Sequence, residues 1–183
     1  MKTLLALFAL ILSPFLDAVF AASPEEIAGV RWEFSPAQVR KTLSTRPGVA
    51  FSAETPEQIA FTGGTFAGKN VQAWRFDFRN GKMTKATVSF KLSDLKDEKG
   101  WINDQVFNDL HRQLDQKYGK GKFLRNVARV EVNWSFPIRP GASRTIQLYY
   151  YWDEKRFDLT YSDIPAPSST PSPATTATPS KDL

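Results

Sequence analysis

His111 is the only histidine in this 183-residue chain, and there is no cysteine. Those two counts remove most site chemistries. A Ser-His-Asp arrangement needs an imidazole buried beside a nucleophile, and nothing in the local sequence supplies a nucleophile elbow. A tetrahedral shell of nitrogen and sulfur around zinc cannot be assembled from one His and no Cys. Asp94, Asp97 and Glu98 stand close together. Lys96 and Lys99 interleave them without the spacing of a calcium loop, so a solvated turn is expected. Gly63-Gly64-Thr65-Phe66-Ala67-Gly68 is glycine-rich like a phosphate cradle. It lacks a Gly-Lys-Ser/Thr ending and leads into a strand rather than a helix, which predicts a flexible turn with Phe66 packed inward. No catalytic residue, cofactor or metal is expected.

What remains is recognition. Arg75, Arg79, Lys85, Lys91, Arg129, Tyr149, Tyr151 and Arg156 all fall on outward positions of alternating runs and form a candidate binding face. Tyr and Arg are enriched where a surface binds something. The competing reading is a solvated face, in which Asp77, Glu131 and Asp158 neutralise these cations in cross-strand pairs of little energetic weight.

The elements that must position this face follow from local pattern. Val71 to Leu92 holds two alternating arms that meet at Asn80-Gly81, the dipeptide that tolerates positive φ at both centres of a type I′ turn. Trp74, Phe76 and Phe78 oppose Arg75, Asp77 and Arg79, while Ala86, Val88, Phe90 and Leu92 oppose Lys85, Thr87, Ser89 and Lys91. Upstream, Ser35-Pro36-Ala37-Gln38 reads as a capping box with proline at the first helical position. Val39 and Leu43 form the helix's apolar side, and Pro47-Gly48 ends it. Val49 to Ser52 and Gln58 to Thr62 predict a weaker hairpin, with Val49, Phe51, Ile59 and Phe61 in alternation.

The strongest helix runs from Asn103 to Tyr118, capped by Asn103 or Asp104 and ended by Gly119. Val106, Phe107, Leu110, Leu114 and Tyr118 make its single apolar stripe, with His111 on the side away from it. Three strands follow: Val127 to Phe136, Thr145 to Trp152 and Arg156 to Tyr161. The expected class is α+β, with a helix-then-antiparallel-meander unit repeated twice (α-ββββ-α-βββ) and both helices on one face of the sheet. Trp32 and Trp101, each a few residues before a helix, mark the two halves.

Trp32-Glu33-Phe34-Ser35-Pro36-Ala37-Gln38-Val39 with Leu43, together with the Trp74-Arg75-Phe76 strand, resembles the helix-opening and strand pattern of small exported bacterial α+β modules. The BamE-like outer-membrane assembly proteins and the tandem β-lactamase-inhibitory proteins are members of that group. The resemblance implies a fold style and a tendency towards non-catalytic protein binding, and no functional residue carries over. BamE-like proteins bear a lipidated Cys and the inhibitory proteins carry disulfides, and this chain offers neither.

Met1 to Ala22 has the parts of a secretory signal: Lys2, the apolar run Leu4 to Leu12, and Val19-Phe20-Ala21 before a cleavage site. Ser13-Pro14 and Asp17 interrupt the run, which disfavours a membrane anchor. Residues 1–21 are thus expected to be a signal peptide, 24–164 a single domain, and 165–183 a disordered Pro/Ser/Thr tail. Lys2 and Asp17 cancel, so the mature chain keeps the net charge of +5. That balance suits an anionic surface or an acidic partner, whereas nucleic acid is seldom met by an exported protein. The expectation is a periplasmic or secreted, non-enzymatic binding or accessory protein without a transmembrane span, whose exposed sheet face or edge docks an envelope protein. A carrier or sensor of an anionic small molecule or lipid is the alternative, and a hydrolase stands third.

Overall fold

The computed structural model describes residues 24–91, 104–125, 129–151, 154 and 156–164. The signal segment, the Asp94/Asp97/Glu98 loop, Leu92, Trp101, Trp152 and the tail lie outside the described residues. In chain order the elements are β1 (Glu26–Ile27), β2 (Val30–Arg31), α1 (Pro36–Ser44), β3 (Val49–Thr55), β4 (Gln58–Gly63), β5 (Thr65–Phe66) and β6 (Lys69–Asn70). They continue with β7 (Ala73–Arg79), β8 (Lys82–Lys91), α2 (Gln105–Tyr118), β9 (Lys122–Arg125), β10 (Arg129–Arg139), β11 (Ala142–Tyr151) and β12 (Arg156–Ile164). Eight strands form one antiparallel sheet in the order β3-β4-β7-β8-β12-β11-β10-β9, so the protein is α+β.

The β7–β8 hairpin turns at Asn80 (φ 53°) and Gly81 (φ 72°), the backbone that the Asn-Gly pair predicts. Its apolar side is fully committed to the core, with Trp74, Phe76, Ala86, Val88 and Phe90 all inaccessible. A bulge adds Thr84 between the Asp77–Lys85 and Phe78–Met83 pairs, and this turns Met83 inward. The first helix opens on the expected box: Gln38 N–H donates to Ser35 Oγ and Ser35 N–H to Gln38 Oε1. Asp104 is the cap of α2, accepting from Phe107 N–H at 2.9 Å, and Gly119 (φ 81°) ends that helix.

Both helices lie against the same side of the sheet. Val39 and Leu43 of α1 bury over β3 and β4. Phe107 of α2 meets Tyr150 and Phe157 edge-to-face at 5.6 and 5.7 Å, and Tyr118 meets Phe136 at 5.3 Å. Each such side chain contributes about 1.5–3 kcal/mol on burial, so this single layer is the main driving force for folding. The β5–β6 hairpin is tied to α2 by Lys69 Nζ and Asp109 Oδ2 at 2.8 Å. That hydrogen bond, with one from Arg112, holds the Asp109 carboxyl below the usual carboxylate range.

Several expectations are corrected. Four strands follow α2 rather than three, because Lys122–Arg125 adds β9 at the edge. Phe51 keeps the alternation, on the face of its buried cross-strand partner Phe61 with the rings 5.9 Å apart, but on the edge strand beside a bulge at Ser52 it is half-exposed, covered by the Arg40 guanidinium 4.1 Å from its ring. The glycine-rich segment serves close packing. A Cβ on Gly64 would collide with Val49 Cγ2, and its φ of +72° disfavours any other residue. Phe66 packs inward as expected, edge-on to Trp74 and Phe90.

Tyr161 is 4% exposed, and burial, with Tyr118 nearby, pushes its phenol far above the ordinary value. The unfolded chain ionises this group near pH ~10 while the fold keeps it protonated. Its stabilisation is therefore complete below about pH 10 and is lost as pH rises from there towards the folded value. Tyr161→Phe is expected to lose less thermal stability than wild type between about pH 9 and about pH 11.5. Circular-dichroism melts check this, and identical pH profiles would refute it.

Candidate functional site

The face away from the helices is built by the same alternation that fills the core. Glu131, Tyr149, Asp158 and Ser89 are successive cross-strand partners on β10, β11, β12 and β8. Two residues along, Arg129, Tyr151, Arg156 and Lys91 repeat the pattern. The two rows form a ladder. Arg129 lies 5.0 Å over the Tyr149 ring, Tyr149 stands 6.1 Å from Tyr151, and Arg156 lies 5.1 Å over Tyr151.

The carboxylates do not pair across strands as the sequence suggests. Arg129 meets Glu131 at 3.2 Å, Arg156 meets Asp158 at 3.6 Å and Arg75 meets Asp77 at 4.0 Å, each two residues along one strand. The direct cross-strand partners of Glu131 are Tyr149 and Leu124 and those of Asp158 are Tyr149 and Ser89, none of them cationic, so each carboxylate meets the cation on its own strand and face. Arg156 is held a second time by Glu154 at 2.9 Å.

Three outward residues are buried, which a half-buried strand pattern does not foresee: Asp158 (6% exposed), Thr87 and Thr160. They occupy the two central strands, and the two threonine hydroxyls face one another at 3.4 Å. Asp158 Oδ1 and Arg156 Nε are buried without a hydrogen-bond partner among the described residues. Burial, followed by the charge of Glu131, raises the Tyr149 phenol above its ordinary value, and burial, then Asp158, raises Tyr151. Both therefore remain hydroxyl donors at neutral pH.

The structure divides the eight predicted residues. Arg129, Tyr149, Tyr151, Arg156 and Lys91 come together at one end of the central strands. Arg75 pairs with Thr87 in mid-sheet. Arg79 and Lys85 lie at the opposite end, about 20 Å along the strands. There they join Lys82, Arg139 and Arg144, which sequence reasoning missed, around an open groove of about 850 Å³. The missing signal was strand order: once β8, β12, β11 and β10 are neighbours, the Asn80-Gly81 and Pro140-Gly141 turns share one end of the sheet.

His111 leans towards the core rather than away from Phe107. Its ring lies 5.9 Å from Trp134 and 6.2 Å from Phe107, and Nε2 stands 3.5 Å from Asp115 Oδ2. Asp115 Oδ1 also accepts from Gly121 N–H, so the pair ties the end of α2 to the chain entering β9. Among the described residues no group of three or more His, Cys, Asp or Glu is placed to hold a metal ion, and no helix is long and apolar enough to cross a membrane.

Removing the ladder should leave the fold standing. Arg129→Ala is expected to cost less than about 1 kcal/mol, against about 3–5 kcal/mol for Phe107→Ala on the other face. Urea unfolding of the two variants checks this, and comparable losses would mean that the outer face holds the structure together. Comparison with protein-family models, with curated proteins and with solved structures finds no match for the chain.

Proposed function

We propose that the chain is an exported, non-catalytic docking module of the bacterial envelope that holds a protein partner on its bare sheet face. One observation carries this reading: Tyr149 and Tyr151 stand in line between the guanidinium groups of Arg129 and Arg156, on a face that neither helix covers. Side chains already held by neighbours lose little freedom when a partner arrives, so more of the contact energy appears as affinity. Eight strands about 4.8 Å apart span about 34 Å, ample for the roughly 800 Å² that a partner of ordinary size covers. A flat surface of this kind suits a macromolecule rather than a small ligand, which needs a concave site.

The sheet edge adds a second point of attachment. β3 is blunted by its bulge, whereas β9 presents Phe123 and Leu124, 55% and 43% exposed, on an edge unpaired among the described residues. Export rests on the Lys2, Leu4 to Leu12 and Val19-Phe20-Ala21 pattern.

The repeated unit belongs to the same reading. α1 precedes β3, β4, β7 and β8, α2 precedes β9 to β12, and the two runs meet at the β8–β12 pair with mirrored order. A tandem of two helix-plus-meander units accounts for that arrangement. It is also the ground on which we propose the likeness in fold style to the BamE-like and β-lactamase-inhibitory proteins.

A photo-reactive residue at Gln147, which lies on the outer face between Asn133 and Thr160, tests the docking surface in cells of the source organism. One discrete protein adduct is expected, lost when Tyr149 and Tyr151 are both replaced by Ala. An adduct unchanged by that double substitution, or none at all, would exclude this face.

A further inference from the structure

We propose that the groove at the Asn80-Gly81 end of the sheet binds a multiply charged oxyanion of the phosphate class. This inference does not rest on the docking face, which lies about 20 Å away along the strands.

Five cations line the groove, Arg79, Lys82, Lys85, Arg139 and Arg144, against two carboxylates, Glu33 and Asp163. Several arginines elsewhere are neutralised, although Arg46 donates only to the Ala28 and Thr65 carbonyls. Arg31, Arg40, Arg112, Arg129 and Arg156 each have a carboxylate within 4.0 Å. Among the described residues, none of Arg79, Lys82, Lys85 and Arg139 sits in an ion pair. Arg79 and Lys82 are even direct cross-strand partners, a placement of like charges that weakens a sheet. A concentration of unpaired cations around one concavity focuses positive potential there, and a bound polyanion relieves the repulsion.

Arg144 forms the fixed point of the site. Its side chain is 12% exposed, its guanidinium lies 5.4 Å over the Trp32 ring, and Nη1 donates to Glu25 at 3.0 Å and to the Pro24 carbonyl at 3.5 Å. Nε is buried without a hydrogen-bond partner among the described residues, and the Asp163 carboxylate stands 3.9 Å from it. A pre-positioned guanidinium, ringed by Lys and Arg heads that have no ion pair among the described residues, matches an anion with several oxygens better than a single carboxylate. The same chemistry is offered by a free phosphate compound and by a phospholipid headgroup.

The test uses the mature chain and two probes: inorganic pyrophosphate by titration calorimetry, and flotation with vesicles of phosphatidylglycerol in phosphatidylcholine. The variant is Lys82→Glu with Arg139→Glu, both exposed and unpaired, and Lys117→Glu with Lys120→Glu is the control of equal charge change. Pyrophosphate binding that falls by about tenfold or more in the groove variant but not in the control supports the site with a free phosphate ligand. Vesicle binding lost in the same pattern, without pyrophosphate binding, supports it with a headgroup. Failure of wild type to bind either probe, or equal losses in the two double variants, overturns the proposal.

Discussion

A sheet covered on one side only is the constraint on which this structure depends. Eight antiparallel strands must send every second side chain to the helices and the rest to water, so one register decides both the core and the proposed recognition surface. The alternation of Trp74, Phe76 and Phe78 against Arg75, Asp77 and Arg79 is that constraint written in residues. A one-residue slip of β7 would bury three charges and expose three aromatic rings. The Asn80-Gly81 turn and the neighbouring bulge hold the register against such a slip.

The same constraint explains the middle of the outer face. In a narrow sheet outward residues are solvated, and their chemistry is generic. Here the outward side chains of the two central strands have neighbours on both sides, and Asp158, Thr87 and Thr160 are buried with neither α1 nor α2 above them. The width of the sheet favours a partly desolvated interior on this face. Charge placed there is held by its own strand, as the Arg156–Asp158 pair shows, and the tyrosines fill the space between. A sheet side with ordered aromatic and guanidinium groups is better prepared for recognition than a set of solvated lysines, because the ordering cost has been met on folding.

Features fixed by neighbours in sequence were legible before any coordinates. The Ser35 capping box, the Asn80-Gly81 turn, the Phe107/Leu110/Leu114/Tyr118 stripe and the Gly119 stop each depend on a few consecutive residues. Features set by pairing between distant strands were not. Lys122-Phe123-Leu124-Arg125 has no alternation and no buried residue, so only its ladder with β10 reveals a strand. Membership of the outer face was legible for all eight candidate residues, whereas their grouping was not, since it depends on β8 lying beside β12. Arg144 illustrates the limit: it falls just before the strand expected from Thr145 to Trp152, and only the fold brings Trp32 and Glu25 to it from over a hundred residues away.

The distribution of charge distinguishes the two surfaces. Around the tyrosine ladder Arg129 and Arg156 face Glu131, Glu154 and Asp158, so the region is locally balanced, and its specificity must come from ring faces, hydroxyl donors and shape. At the other end cations outnumber carboxylates, and of the five only Arg144 sits in an ion pair among the described residues. A net charge of +5 spread evenly would act only as weak, screened attraction for any anion. Concentrated where several hairpin ends and the Trp32 segment converge, the excess becomes directional. On the proposed reading, the balanced face would select a partner by contact, while the proposed anion groove would draw the molecule to its ligand or surface.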